Sequence, residues 1–542
     1  MRASPTRSLF FFVLAGGVAA LTLFWSLASR TDEAVPDPDF GGAYIEGIAG
    51  SPARINPLFT RENPTDATVA ALVFAGLTRL DEHGSPFPDL AETWTLSPDG
   101  LTYTFTLRRG LRWHDAAPVT ADDVVFTYSL LQAPELPIPP RLSTLLAGAT
   151  ISALDNRTVV IALAAPYSPL PAYLTLGILP KHSLDGLTMS EIYNSFFNQQ
   201  PIGAGPYRLV RLTPSEAELV ANPAYHLHQP FIQRVELRFY RDEPAVQAAL
   251  ERGEVQAALF HGGIPKTDQI ELEVSANLRM TPLDTGEITY VYLNLALPMF
   301  QDRRVRQALL YALDRDALIA GALDGEGARA DSPLSPTSWA YSPSLTRYEP
   351  DAHLAGLLLD EAGWPRGQDG LRRKDGRPLA FTLTTNADPV RVAVAEAVAA
   401  AWNQVGLQVS VSAIGVTDLI RNRLEPRKYE ATIWARLPTT DPDPYEQWHS
   451  SQTTGRGANL TGFSDARIDA VLETARSVSQ IKRKELYIEF QELFAQEVPA
   501  IPLYVSTAAY MQEADLQGVR IARLLEPGDR FWQVEEWFLK TR

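Results

Sequence analysis

The chain has 542 residues, several times the length of a usual domain, so we expect it to fold around more than one core. Its formal net charge of −16 at pH 7 argues against nucleic acid or anionic lipid headgroups as partners. It contains no cysteine, which excludes disulfides, thiolate metal sites and cysteine nucleophiles.

The first thirty residues have the pattern of a targeting segment. Two arginines precede an apolar stretch from Leu9 to Ala28, which at about 1.5 Å per residue is long enough to cross a bilayer core of about 30 Å. Since the positive charge lies ahead of this stretch, we expect an uncleaved N-terminal helix with the acidic remainder outside. A cleaved signal peptide is the alternative, because Ser26-Leu27-Ala28 has the form of a cleavage site.

Alternating apolar residues predict strands in the remainder of the chain. Every second residue from Thr102 to Leu107 is apolar, which is typical of a strand with one buried face. The same alternation returns at residues 235–239 and 379–383.

Helix start signals fall between these strands. Thr120-x-x-Asp123 resembles a capping box, and Asp302 precedes an apolar stripe with helical spacing. A helix that begins near Pro389 leads from the third of these strands to a further strand at 407–411, which predicts a βαβ unit with a parallel strand pair. The fold class is therefore mixed α/β with more than one sheet.

The common motifs of catalysis are missing from the sequence. There is no GxSxG nucleophile elbow, no HExxH zinc motif and no Walker phosphate loop, so we expect no enzyme activity, no metal site and no cofactor. Two histidine-bearing segments could be argued as metal sites. We interpret His226 and His228 as exposed residues at a strand edge, and residues 113–115 as a structural turn in which Asp115 accepts backbone N–H groups.

Ordered motifs occur along the chain between Gly42 and Tyr504. They include DLAETW at 89–94, SPDG at 97–100, WHD at 113–115, PIGAGPY at 201–207, GEV at 253–255, AGW at 362–364 and PAIPLY at 499–504. This series resembles the family 5 extracellular solute-binding proteins, the peptide-binding and nickel-binding subunits of ABC importers. Two positions depart from the family pattern, since Ala116 stands where Gly is usual and Gln256 where Asp is frequent.

The resemblance implies a two-lobed fold of the periplasmic-binding-protein type II class, cluster C, with an extra third domain and an N-terminal transmembrane or signal helix. By analogy, the division is a signal anchor or signal peptide at 1–30, a tether at 31–41, a first lobe at 42–74, 201–284 and 506–542, an extra domain at 75–200, and a second lobe at 285–505.

The resemblance also implies that the ligand lies against a strand ending in Trp and the loop that follows it. Two interpretations stay open for Trp434, which could stack on the ligand or cap the core of the sheet. Arg436 offers a planar fork for a carboxylate, or it could pair with Asp441 or Asp443. The expected ligand-binding residues are Trp434, Arg436, Thr439, Thr440, Asp441, Tyr445, Asn386 and Asn459.

The function implied is that of a monomeric receptor in the periplasm or on the outer face of the cell membrane. It would enclose a peptide or other small solute between its lobes and deliver it to the permease subunits of an ABC importer. A membrane-tethered solute sensor that partners a signalling receptor is one alternative, and an extracytoplasmic hydrolase is another.

The charge of the ligand is predicted from a further departure. Dipeptide-binding relatives hold the ligand ammonium with an Asp a few residues after the strand Trp, whereas here the first carboxylate after Trp434 is Asp441. A buried ammonium without a counter-charge is unfavourable. We therefore expect a longer peptide or another acidic or neutral solute, unless Asp441 or Asp443 folds back towards the ligand.

Overall fold

The computed structural model describes residues 38–541, except 139, 263, 265–268, 271, 274–276, 456 and 522. The predicted N-terminal helix and the first part of the tether lie outside these residues. No helix within the described ranges is long and apolar enough to cross a membrane.

Strands and helices alternate along the described chain. The strands are β1 Pro38–Asp39, β2 Ala43–Ala49, β3 Thr78–Leu80, β4 Pro86–Pro88, β5 Ala91–Leu96, β6 Thr102–Leu107, β7 Thr150–Asp155, β8 Thr158–Ala162, β9 Tyr207–Leu212, β10 Glu216–Ala221, β11 Arg234–Tyr240, β12 Ala257–Phe260, β13 Leu278–Leu293, β14 Ala328–Arg329, β15 Arg373–Lys374, β16 Arg377–Pro378, β17 Ala380–Asn386, β18 Gln408–Ile414, β19 Ala431–Arg436, β20 Ile501–Glu513 and β21 Lys540–Thr541. The α-helices are Pro64–Val73, Ala121–Leu131, Arg141–Leu146, Leu170–Tyr173, Lys181–Leu184, Met189–Tyr193, Glu243–Glu251, Pro298–Gln301, Arg303–Tyr311, Arg315–Ala322, Ala352–Glu361, Pro389–Gln404, Val416–Asp418, Tyr445–Trp448, Ala466–Ala475 and Gln480–Glu497. Short 3₁₀ segments lie at Thr60–Glu62, Phe196–Asn198, Ser450–Gln452, Pro527–Phe531 and Val534–Glu536, and a π-helical turn lies at Leu419–Leu424.

The βαβ unit predicted from the sequence is confirmed. β17 and β18 pair in parallel along their whole length, and the helix Pro389–Gln404 connects them. The carboxylate of Asp388 accepts the backbone N–H of Arg391 at 3.0 Å and so caps this helix. The helix predicted after Thr120 is also confirmed, and Asp123 accepts the backbone N–H of Thr120 at 2.8 Å.

Two long antiparallel strands, β13 and β20, pair with each other near the middle of one sheet. They belong to the largest sheet of the described residues, whose order is β18-β17-β19-β13-β20-β12-β2-β11-β10-β9. Their pairing is interrupted between Asp284 and Ile288, where Gly286 has a φ of +68°. A glycine adopts this left-handed conformation without a steric penalty, so the strand can change direction here.

Separate hydrophobic cores lie on the two sides of this interruption. One side has a large core that includes Tyr44 and Trp537 and a smaller core around Met511. The other side has one core around Trp402 and another around Trp448. We call these two sides the first lobe and the second lobe. The exact domain boundaries, including those of the extra domain, stay a prediction.

The two departures from the family pattern both have a local structural setting. Ala116 has a φ of +72°, a left-handed conformation in which a Cβ is unfavourable and glycine is preferred. The Gln256 amide accepts the backbone N–H of Ile45 at 2.8 Å and donates to Glu513 at 2.9 Å. An Asp at 256 would instead place a second carboxylate beside Glu513.

Candidate ligand-binding site

A cavity of about 40 Å³ lies where the two lobes meet. Part of its wall is the stretch of β13 at and just after the interruption, with Gly286, Ile288 and Tyr290. Since one ordered water needs about 10 to 15 Å³, the cavity holds roughly three waters or one small chemical group. This space is far smaller than a peptide.

The segment at 435–445, which we call the cleft loop, forms another part of the wall. Arg436, Pro438, Thr439, Pro442 and Asp443 contribute from this loop. The rest of the wall consists of Pro333, Leu334, Ser335, Ser338 and Arg523.

An ion pair fixes the middle of the cleft loop. Arg483, on the helix Gln480–Glu497, donates to both carboxylate oxygens of Asp441, with one contact at 2.9 Å. The two side chains are only 3% and 1% exposed. Burial on its own would lower the pKa of Arg483, but Asp441 outweighs burial and raises it above its ordinary value. Asp441 is thus committed to holding the loop.

A second pair lies beside the first. The Nε of Arg476 is 3.2 Å from a carboxylate oxygen of Asp443, close enough for an ion pair but without hydrogen-bond geometry. Burial raises the pKa of Asp443, and Arg476 opposes this shift. The Arg476 guanidinium also lies 4.3 Å from the ring centre of Tyr445 and 5.0 Å from that of Tyr167, so two aromatic faces surround it.

Arg436 differs from these two arginines. No hydrogen bond or ion pair from the described residues reaches its guanidinium, although it lines the cavity. Burial lowers the pKa of Arg436. The Tyr290 and Tyr292 hydroxyls, Glu446 and Asp443 oppose this shift by electrostatic interaction through space, without a hydrogen bond to the guanidinium. The alternative in which Arg436 pairs with Asp441 or Asp443 is therefore not realised.

Arg523 reaches the same cavity from the C-terminal segment. Its Nη2 donates to the backbone carbonyl of Thr439 at 3.1 Å, which joins the first lobe to the cleft loop. Its Nε and Nη1 are buried and have no hydrogen-bond partner among the described residues. A side chain at Gly84 would overlap Nη1, so the glycine there makes room for the guanidinium.

Three further contacts join residues on the two sides of the cleft. The Arg141 and Glu446 side chains form an ion pair at 2.7 Å. The backbone N–H of Trp339 donates to the carbonyl of His83 at 2.9 Å, and that of Ser168 donates to Arg476 at 2.8 Å. Each contact joins the second lobe to a residue between 75 and 200.

The sequence profile described as bacterial extracellular solute-binding proteins, family 5 Middle, matches residues 85–459. The chain belongs to this family. The cavity between its lobes is accordingly the candidate ligand site of a solute-binding protein, and its α/β two-lobed architecture is the one that the family members share.

Known family 5 proteins resemble the chain over almost its full length. The oligopeptide-binding protein AppA of Bacillus subtilis (strain 168) is 29% identical over 541 residues, covering 97% of both chains. The structure of AppA from Bacillus subtilis in complex with a nonapeptide has a TM-score of 0.65 at 28% identity and covers 93% of this chain and 100% of that one. NikZ from Campylobacter jejuni in complex with Ni(L-His) has a TM-score of 0.67 at 29% identity, with coverages of 92% and 99%.

The structure brings some of the predicted site residues together at the cavity. Arg436 and Thr439 line it directly, and Asp441 and Tyr445 lie behind it in the pairs described above. Thr440 is half-buried beside them.

Three other predicted residues lie elsewhere. Asn459 is fully buried, and its amide group donates to the carbonyls of His449 and Phe463 at 3.2 and 2.9 Å, so it shapes its own loop. Trp434 is half-buried and packs against a core of the second lobe. Asn386 is half-buried at the end of β17 and is not part of the cavity wall.

The sequence analysis missed the arginines that come from outside the cleft loop. Arg476 and Arg483 lie on or beside helices, and Arg523 lies in the C-terminal segment. The sequence Asp-Pro-Asp-Pro at 441–444 was a weak signal for these arginines, because two buried acids require two cations nearby.

The histidine segments have structural roles. The turn predicted at 113–115 is confirmed, since Asp115 accepts the backbone N–H of Ala117 at 3.0 Å. Burial lowers the pKa of His114 to about 4. The interpretation of His226 as exposed at a strand edge is wrong, because its ring is buried in a bend and contacts Asp89 at 2.7 Å. Among the described residues, no group of three or more His, Asp or Glu side chains is placed to hold a metal ion.

Proposed function

We propose that this protein captures a peptide-like solute between its two lobes outside the cytoplasm and delivers it to an ABC importer. The observation that carries the proposal is the interlobe cavity, which is lined by the strand β13, the cleft loop and two guanidinium groups. The oligopeptide-binding protein AppA of Bacillus subtilis, to which the chain is similar, supports the same solute class.

The cleft loop further supports a ligand that carries a carboxylate. The acids that could take up a ligand ammonium, Asp441 and Asp443, are already paired with Arg483 and Arg476. Arg436 has no partner among the described residues and offers charge-assisted hydrogen bonds to an anion. A free dipeptide in the usual register is thereby disfavoured, and a longer peptide or an acidic or neutral solute is favoured.

The proposal includes the finer architecture expected from the sequence. Residues 75–200 would form the third domain of a cluster C fold, and the protein would act as a monomer. The apolar stretch from Leu9 to Ala28 would tether it to the membrane. Protease added to intact protoplasts should then remove everything after about residue 31, whereas a mature N-terminus at Ser29 would contradict the tether and leave export intact.

Ligand capture without turnover is the decisive test. Purified native protein would be denatured and the released solute identified by mass spectrometry, and the solute would then be added back. A true ligand at about 100 times its dissociation constant should stabilise the folded state by roughly 2.7 kcal/mol. If peptides, sugars and metal chelates all leave the melting temperature unchanged, the binding function is contradicted.

Two outcomes would favour the alternatives. A ligand recovered chemically altered after incubation would indicate a hydrolase. A deletion strain that takes up the labelled ligand normally but no longer responds to it would indicate a sensor that works with a signalling receptor.

A further inference from the structure

The two arginines of the cavity come from opposite lobes. Arg436 is the last residue of β19 in the second lobe. Arg523 lies beside Asp284 of β13 and directly precedes Leu524, which is part of the large core of the first lobe. Closure of the lobes therefore brings two guanidinium groups to one cavity of about 40 Å³.

The carboxylates nearest Arg436 already have other partners. Glu446 forms its ion pair with Arg141, and Asp443 forms its ion pair with Arg476. Both acids influence Arg436 through space only.

The carboxylates around Arg523 are committed in the same way. The Asp529 carboxylate accepts two backbone N–H groups of its own turn, and the Asp81 carboxylate does likewise. Asp284 accepts one backbone N–H and two hydroxyl groups, while Asp441 holds its own arginine. These four acids act on Arg523 through space, and none of them forms an ion pair with it.

Two guanidinium groups that meet in one cavity repel each other, and an anion between them offsets this repulsion. We propose that the cavity is an oxyanion subsite in which one carboxylate or phosphate group of the ligand is held by Arg436 and Arg523 together. Building on the proposed function, this names the ligand class as solutes with an exposed anionic group. The anion also joins the lobes, so the subsite couples recognition of the ligand to closure.

The experiment compares two synthetic peptide pools on the full-length protein. Both pools are N-acetylated pentapeptides of the same composition, one with free C-terminal carboxylates and one with C-terminal amides, and inorganic phosphate forms a third arm. Calorimetry at low ionic strength gives the affinities of wild type, Arg436→Gln, Arg523→Gln and the double variant. Arg421→Gln, which changes an exposed arginine of the second lobe, is the matched control. Melting temperatures without ligand establish that each variant is folded.

We expect the carboxylate pool to bind wild type and the control, and the amide pool to bind at least tenfold more weakly. Each single variant should raise the Kd for the carboxylate pool at least tenfold. The double variant should add little to either single change, because one anion needs both arginines. Small-angle scattering should show that the carboxylate pool compacts wild type but not Arg523→Gln. Binding of phosphate that either substitution abolishes would support the same subsite with a phosphate-bearing ligand.

Equal binding of the amide and carboxylate pools, unchanged by both substitutions, would overturn the oxyanion subsite while leaving solute capture intact. An effect of Arg436→Gln without one of Arg523→Gln would overturn the two-lobe arrangement. If no pool binds and no solute is released from the native protein, the proposed function fails and the subsite fails with it.

Discussion

Two groups of charged side chains lie within the same cleft and have opposite surroundings. Asp441 and Arg483 satisfy each other through two hydrogen bonds, and the carboxylate raises the pKa of this guanidinium. Arg436, at the start of the same loop, has no such partner among the described residues, and burial lowers its pKa. The Asp441–Arg483 pair therefore stabilises the fold, whereas the guanidinium of Arg436 is available to bind a ligand in the cavity.

The largest effect is expected from breaking the satisfied pair. Arg483→Met leaves the carboxylate of Asp441 buried without a counter-charge, which should lower the free energy of unfolding by roughly 3 to 5 kcal/mol. Urea denaturation of the ligand-free protein measures this change. Lys482→Met is the control, because Lys482 is exposed and its ion pair with Glu485 lies at the surface, so its loss should leave the free energy of unfolding almost unchanged. A loss below about 1 kcal/mol for Arg483→Met would mean that the pair does not hold the loop.

Removing both partners sharpens the comparison. The variant Asp441→Leu with Arg483→Met has no buried charge left unpaired, so it should be more stable than Arg483→Met alone by roughly 1 to 3 kcal/mol. The double-mutant cycle is completed with Asp441→Leu. Strict additivity of the two single changes would show that the two side chains act independently.

A substitution outside the cleft provides a reference for the changes in free energy of unfolding expected in the cleft variants. Ala116→Gly relieves the left-handed conformation of Ala116, partly offset by the greater freedom of glycine in the unfolded chain. The free energy of unfolding should rise by about 0.5 to 1 kcal/mol, with ligand binding unchanged. Ala147→Gly is the matched control, since Ala147 has a φ of −59° and should lose stability instead.

The smallest effect is expected at the unpaired arginine. Arg436→Gln breaks no hydrogen bond or ion pair with a described residue, so the ligand-free protein should change in stability by less than about 0.5 kcal/mol. Urea denaturation again provides the measurement. A loss above about 2 kcal/mol would show that Arg436 has a structural partner, and the contrast with Arg483 would no longer stand.

The sequence predicts well those features that depend on neighbours along the chain. The alternation in β6, the capping box at Thr120-x-x-Asp123 and the helix that begins at Pro389 are all local patterns. The family resemblance, carried by ordered motifs, is confirmed by the match over residues 85–459.

The site depends instead on pairs that are distant in the sequence. Asp441 and Arg483 are 42 positions apart, and Arg523 is 84 positions from the carbonyl it binds. An acid in a proline-rich loop indicates neither which cation it meets nor whether it is buried, because tertiary packing decides both. The same reason explains the wrong interpretation of His226, whose carboxylate partner lies 137 positions away.

The large core of the first lobe joins the two ends of the described chain. Tyr44 packs edge-to-face on Trp537 at 5.6 Å, and Arg530 forms a buried ion pair with Glu46, 484 positions earlier. At about 5 to 20 residues per second, a ribosome needs roughly 25 to 100 seconds to travel from Glu46 to Arg530. Throughout that time Arg530 cannot pair with Glu46, so the core that contains the beginning of the described chain is completed only after its end has been synthesised.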